Sequence, residues 1–134
     1  SGLDPVFRSE LLEILQGEMQ DERRGILFST HITSDLERVA DFICFINQGE
    51  IVFSDTRENL REKYLLVKGP RELLDDRSRK LMLGIRENDF GFEALSSRPG
   101  EIKSMLRDKA IFEYPNLEQI ILFTVRRDNS VALD

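Results

Sequence analysis

Two side chains in the first third of the sequence belong to types that carry acid–base or nucleophilic chemistry. They are His31 and Cys44, and each is the only residue of its kind among 134. His31 follows a short apolar, β-prone run at residues 26–30, which predicts a buried strand of the kind found in parallel sheets. In open α/β sheets, ligands lie beyond the carboxyl ends of strands, beside the next helix N-terminus. His31 would occupy that place.

An imidazole at the end of a strand can donate a hydrogen bond to a phosphate oxygen. Considered alone, however, a single histidine of this kind is more often a core or surface residue than a ligand. Cys44 with His31 would suggest a thiol nucleophile and its base. Because Cys44 lies in mid-strand between Ile43 and Phe45, a small apolar core residue is the simpler interpretation.

Several kinds of site are excluded by the sequence. A phosphate-binding Walker A loop needs glycine before Lys-Ser/Thr, and none of the eight glycines is followed by lysine. No Cys/His cluster has the spacing of metal ligands, so we predict no metal site. The net charge of −6 argues against nucleic acid as a partner, because such binders need a basic surface.

The elements that would position His31 form a first part, residues 1–63. Asp4 is predicted to cap a helix that begins at Pro5. Apolar residues at a 3.6-residue period are expected to form the buried face of this helix. These are Phe7, Leu11, Ile14, Leu15 and Met19.

A second helix is predicted after His31, where Ser34 and Glu37 have the spacing of a capping box. A buried strand at 42–46 and another at 50–54, joined by a turn with Gly49, predict a hairpin. Thr56 is expected to cap a short helix with Leu60 and Tyr64 on one side. The first part would thus hold an incomplete parallel sheet plus a hairpin.

The second part, residues 64–134, differs in charge. It has 12 Lys/Arg and 12 Asp/Glu, whereas residues 1–63 have 7 and 13. Strands are predicted at 65–69, 81–87, 90–96 and 110–114. Helices are predicted at 70–80, from Pro99, and from a cap at Asn116. For the last of these a strand is the alternative, because IILFTV is also β-prone. The order β-α-β-β-α-β is that of a small split-βαβ module. Phe90 and Phe92 suit strand packing better than a stacking platform.

Two motifs at a characteristic spacing resemble the ATP-binding subunit of ABC transporters. The motif SGLDP (1–5) is followed, after about two dozen residues, by FSTH (28–31), and then by a helix and a hairpin with glycine at its turn. In that family the first motif is the D-loop at the dimer interface, and the histidine faces the γ-phosphate. The resemblance implies that His31 is a catalytic and nucleotide-binding residue, and that Ser1, Gly2, Leu3 and Asp4 belong to the dimer interface.

The family's remaining motifs, which wrap the phosphates, hold Mg²⁺ and polarise water, all precede SGLDP. The chain therefore resembles the C-terminal part of a P-loop-type ABC ATPase core, followed by a small accessory or regulatory α+β module. ATP and Mg²⁺ would be cofactors of the full-length protein, and none is expected for this chain alone. It should hydrolyse no ATP by itself.

The resemblance also implies partners. A full-length subunit would pair with a second ATPase subunit and a transmembrane permease, on the cytoplasmic face of the membrane, in a transporter of the bacterial exporter type. Alone, the chain is expected to form a homodimer, for which domain swapping is one route. A different hypothesis is that residues 64–134 are a non-enzymatic regulatory or interaction module, with the first part as a dimerising stem.

Overall fold

A computed structural model describes the backbone of residues 4–133 and the side chains of residues 4–125. The chain is mixed α/β and forms two compact units, which meet between Arg57 and Glu58. No helix within the described part is long and apolar enough to cross a membrane.

The first unit contains two helices and a two-stranded sheet. Its elements are α1 (Pro5–Glu18), α2 (Thr33–Val39), β1 (Phe42–Asn47) and β2 (Glu50–Thr56). The start of α1 confirms the sequence prediction, because the Asp4 carboxylate accepts a hydrogen bond from the Val6 amide at 2.8 Å and Pro5 opens the helix.

The β1–β2 hairpin confirms a second local prediction. The strands pair antiparallel, and Asn47 lies opposite Glu50 across a two-residue turn. Gln48 and Gly49 both have positive φ, at 51° and 79°. Such a turn follows the right-handed twist of the strands, and Gly49 adopts it without steric cost.

The strand predicted at residues 26–30 is wrong. These residues have no regular secondary structure, and Leu27 is fully exposed. A parallel strand forms only beside another strand, and both sheets in the described part of the chain are antiparallel. The segment has the apolar composition of a buried strand but no strand to pair with.

The predicted buried stripe of α1 is also wrong. Phe7 and Ile14 are more than half exposed, and Leu12 is the buried residue of this helix. The predicted capping box fails as well. Helix α2 begins at Thr33, one residue before Ser34, and its N-cap residue Ile32 makes no side-chain capping bond.

The second unit holds a four-stranded antiparallel sheet. Its elements are α3, which begins at the unit boundary (Arg57–Lys63), β3 (Leu65–Gly69), α4 (Asp76–Arg79), β4 (Met82–Asn88), β5 (Gly91–Ser96), α5 (Pro99–Leu106), β6 (Ile111–Glu113) and α6 (Leu117–Leu133). The strand order is β4-β5-β3-β6, and every neighbouring pair is antiparallel. From β3 to β6 the predicted order β-α-β-β-α-β is present, and this arrangement is that of a split βαβ.

The core of this unit joins the central strands to α5. Val67 and Ala94 are fully buried, and Ile102 of α5 packs with them. Helix α6 packs against β4 and β5. It begins where Asn116 and Gln119 exchange hydrogen bonds at 2.8 and 2.9 Å, which confirms Asn116 as the cap.

The long helix predicted at 70–80 is replaced by a 3₁₀ turn (Arg71–Leu73) and the short helix α4. Leu74 is the C-cap of the first, and Asp75 is the N-cap of the second. Its carboxylate accepts from the Ser78 amide at 2.8 Å, and its own amide donates to the Ser78 hydroxyl at 3.0 Å. These side chains satisfy backbone groups that a continuous helix would have used.

Asp75 gives this turn a pH dependence. The hydrogen bond that the Ser78 backbone amide donates to the Asp75 carboxylate is the main reason that the pKa of this carboxyl lies below its usual value. Stability from this cap is therefore present above the unfolded-state pKa of about 3.9 and is lost as pH falls through the lower folded-state pKa. We expect Asp75→Asn, which keeps an N-cap, to match wild type near pH 7 and to show a shallower loss of stability below pH 4.

Urea denaturation between pH 2 and 7 measures this effect. Asp76→Asn is the matched control on the neighbouring carboxylate, and its free energy of unfolding should fall below pH 4 as steeply as that of wild type. An equally steep fall in Asp75→Asn would contradict the prediction.

Candidate functional site

His31 lies in a bend two residues before α2. Its side chain is exposed. The bend is fixed by Thr30, whose hydroxyl oxygen accepts a hydrogen bond from the Ile32 amide at 3.0 Å. The imidazole makes no hydrogen bond or ion pair with another residue between 4 and 125, so both ring nitrogens face solvent or a ligand.

Helices α1 and α2 flank the His31 segment and are joined by polar contacts. The Arg8 Nε lies 3.4 Å from Asp35 Oδ1, and the Asp35 carboxylate is largely buried. Arg38 of α2 lies 3.6 Å from Glu13 and donates to the Ser9 hydroxyl at 3.1 Å. These contacts fix the helix that follows His31 against the helix that precedes it.

Sequence reasoning missed the role of Asp35. An acidic residue in the first turn of a helix is a general sign of stabilisation by the helix dipole, and that sign was present here. Its pairing with Arg8, 27 residues earlier, depends on how α1 and α2 pack. Nothing in the local sequence indicates this pairing.

A charged turn follows α1 at the start of the loop that leads to His31. The Arg23 guanidinium donates to both carboxylate oxygens of Asp21, at 3.1 Å each. This hydrogen bond is the main reason that the pKa of Asp21 is lowered and the pKa of Arg23 is raised. Arg24 pairs with Glu18 and Asp21. The basic pair Arg23-Arg24 therefore belongs to a solvated turn, as its composition suggests.

The other predicted site residues differ in what the structure says of them. Asp4 is exposed and serves as the N-cap of α1. Ser1, Gly2 and Leu3 lie outside the described residues. The structure therefore neither assembles nor separates the predicted group of His31 and the D-loop residues.

The prediction that Cys44 is a core residue is wrong, because Cys44 is exposed. Cys44 lies opposite Ser54 on the outer face of the hairpin, while Ile43 on the other face is buried. A two-stranded sheet covered on one side leaves alternate residues in solvent. No hydrogen bond joins Cys44 to His31 within the described part, so the structure does not form a thiol–imidazole pair.

The described residues do not fit ATP or Mg²⁺ as a resident group. They include no group of three or more His, Cys, Asp or Glu side chains that could hold a metal ion. His31 can offer one hydrogen bond to a phosphate, but binding a triphosphate requires several converging amides and a cation. We therefore derive no hydrolytic step from this chain.

Known proteins resemble this chain in sequence. It is 42% identical over 67 residues to the lantibiotic transport ATP-binding protein SrtF of Streptococcus pyogenes, covering 48% of this chain and 29% of that protein. It is 31% identical over 101 residues to the molybdenum import ATP-binding protein ModC of Mannheimia succiniciproducens, covering 75% of this chain and 28% of that protein.

A third relative is the thiamine import ATP-binding protein ThiQ of Photobacterium profundum, 33% identical over 63 residues, which are 46% of this chain and 26% of that protein. No family model matches the sequence. No solved structure matches it either. The chain spans less than a third of the length of these relatives. At 31–42% identity, these three relatives are all ATP-binding proteins of transport or import systems.

Proposed function

We propose that this chain is the C-terminal portion of an ATP-binding, ATP-hydrolysing subunit of an ABC transporter. Two findings together carry the proposal. The sequence relatives are ATP-binding proteins of transport systems, and SGLDP and FSTH have the spacing of a D-loop and a switch histidine. The exposed, unpartnered imidazole of His31, presented between α1 and α2, supports it. A side chain of this kind is available to a phosphate contributed from outside the chain.

In the proposed full-length protein, His31 donates a hydrogen bond to the γ-phosphate as charge develops on it. Residues 1–4 lie at the interface with a second ATPase subunit. The subunit is peripheral on the cytoplasmic face of the membrane, where it contacts a transmembrane permease. We also propose that the transporter is of the bacterial exporter type, as the resemblance implies.

ATP turnover tests this proposal. The chain alone, mixed with ATP and Mg²⁺, is expected to release no phosphate above background. A chimera in which this chain replaces the corresponding C-terminal part of the S. pyogenes lantibiotic transport protein is expected to hydrolyse ATP. A chimera that binds a fluorescent ATP analogue but does not hydrolyse ATP would contradict the proposed function, as would turnover by the chain alone.

Exposed apolar residues in the first unit support a covering partner. Phe7 and Ile14 of α1 are exposed, as are Phe42, Ile46 and Ile51 of the hairpin. Exposed apolar side chains of this size promote association. We propose that the rest of the ATP-binding core covers these residues in the full-length subunit, and that the isolated chain covers them by forming a homodimer, with domain swapping as one route.

Light scattering at a series of concentrations measures the oligomeric state. We expect a dimer mass that falls toward the monomer mass in the double substitution Ile46→Lys, Ile51→Lys. The matched control is Ile111→Lys, an exposed isoleucine of the second unit. A monomer mass for the wild-type chain throughout the series would contradict the prediction.

A second candidate function is a regulatory or interaction module formed by residues 64–134. It is favoured by one observation, that the second unit has its own apolar core. Limited proteolysis distinguishes the two hypotheses. A stable fragment beginning between residues 58 and 64 is expected if the second unit folds independently. Protection of only the whole chain would contradict the module hypothesis.

A further inference from the structure

A cavity of about 380 Å³ lies at one end of the four-stranded sheet. Two strands end there, β3 at Gly69 and β4 at Asn88, and two begin there, β5 at Gly91 and β6 at Ile111. Pockets for small molecules in proteins are typically about 300–1,000 Å³. The cavity is formed within the second unit, and its size suits a small organic molecule.

A fixed turn supplies an aromatic ring to this cavity. The Asn88 side-chain oxygen accepts hydrogen bonds from the Phe90 amide at 2.8 Å and the Gly91 amide at 3.0 Å. A Cβ atom at Gly91 would lie only 2.3 Å from the Gly69 carbonyl oxygen, so the two backbones approach as only glycine permits. The prediction of strand packing is wrong for Phe90, which lies on this turn before β5 and is 96% exposed, whereas Phe92 is buried. The ring faces of Phe90 therefore remain available to a flat molecule.

The charges around the cavity favour an anion. Lys68 Nζ lies 3.2 Å from Glu113, and Arg86 lies 3.2 Å from Glu93. Lys109, which also lines the cavity, has no ion-pair partner among residues 4–125. Of these five residues only Lys68, Glu93 and Lys109 line the cavity, so its lining holds two cationic side chains and one carboxylate, an excess of one positive charge.

We propose that this cavity binds a small organic anion that carries a flat aromatic group. The aromatic group stacks on Phe90, and the anionic oxygens accept hydrogen bonds from Lys109, with Lys68 as a second donor shared with Glu113. Aromatic carboxylates and aromatic phosphate monoesters both combine a flat ring with anionic oxygens. The proposal goes beyond the transporter function and concerns a different unit, so either can fail while the other stands.

Titration followed by amide NMR tests the ligand class. Phenyl phosphate and phenylacetate are the probes, and the references are inorganic phosphate, which lacks a ring, and benzyl alcohol, which lacks a charge. We expect at least one aromatic anion to shift the amides of Lys68, Gly91 and Lys109 with saturation. Each reference should bind at least about fivefold more weakly than the preferred aromatic anion. This ratio corresponds to roughly 1 kcal/mol, lost as ring stacking for inorganic phosphate and as charge interaction for benzyl alcohol.

The comparison of phenyl phosphate with phenylacetate identifies which anionic group is preferred. Equal binding of inorganic phosphate and phenyl phosphate would overturn the proposal, because the ring would then have no role. Failure of both aromatic anions to produce saturable shifts would overturn it too.

Two variants test the residues. Phe90→Ala and Lys109→Ala are each expected to weaken binding of the preferred probe about fivefold. The controls are Phe42→Ala, an exposed phenylalanine of the first unit, and Lys103→Ala, an exposed lysine that does not line the cavity. Because Phe90 and Lys109 are exposed, unchanged circular dichroism is expected. Wild-type affinity in both Phe90→Ala and Lys109→Ala would overturn the assignment.

Discussion

Phe123→Ala is expected to destabilise the second unit by about 3–5 kcal/mol, the usual cost of removing a buried phenylalanine side chain. The Phe123 side chain is fully buried, and α6, which carries it, packs against β4 and β5. Directly beneath it lies Gly84, where an added Cβ would approach the Phe123 carbonyl oxygen to 2.7 Å and the Phe123 Cβ to 3.2 Å. The sheet therefore has no side chain at Gly84 to fill the space that the ring would leave.

Urea denaturation measures this loss as a lower transition midpoint with an unchanged slope. A loss of 3–5 kcal/mol is a large share of the roughly 5–15 kcal/mol of a typical domain. The matched control is Leu122→Ala, because Leu122 is 37% exposed on the same helix turn and should cost less than about 1 kcal/mol. A Phe123→Ala variant within about 1 kcal/mol of wild type would contradict the observed packing of α6.

His31→Ala in the chimera with the S. pyogenes protein is expected to lower the rate of ATP hydrolysis by about 10²–10³-fold, the usual effect of removing one positioned donor from a developing charge. Because His31 is exposed and makes no hydrogen bond or ion pair with another residue between 4 and 125, the substitution should leave the free energy of unfolding within about 0.5 kcal/mol of wild type. The predicted loss therefore separates a role in the reaction from a role in folding.

Phosphate release at saturating ATP and the affinity for an ATP analogue measure the two aspects. We expect kcat to fall and nucleotide binding to change by less than tenfold, because the interaction strengthens as charge develops. Glu22→Ala is the control, an exposed residue of the same connecting loop. Turnover in His31→Ala within threefold of the unsubstituted chimera would contradict the assigned role of His31.

The features that the sequence predicted correctly depend on residues within a few positions of one another. Asp4-Pro5 determined the start of α1, because the capping bond reaches only two residues ahead. The reciprocal bonds of Asn116 and Gln119 determined the start of α6 in the same way. The turn at Gln48-Gly49 determined the pairing of the strand ends next to it, Asn47 with Glu50. In the second unit, the run LLVKG was predicted as a strand at residues 65–69, and β3 has these bounds.

The features that the sequence did not predict depend on partners far along the chain. Residues 26–30 have a β-prone composition, yet a strand needs a neighbour, and the described residues provide none for it. Cys44 is exposed because the hairpin is covered on one face, which composition does not reveal.

The candidate sites show the same division. The sequence by itself determined which residue, His31, carries the resemblance to a phosphate-sensing histidine, because a motif is a matter of residue identity and spacing. Only the tertiary structure decided that its imidazole is exposed and has no hydrogen-bond or ion-pair partner among residues 4–125. Likewise, only the pairing of β3 with β5 and β6 brought Phe90, Lys68 and Lys109 to one cavity, since these residues are separated by up to 41 positions and meet through strand register.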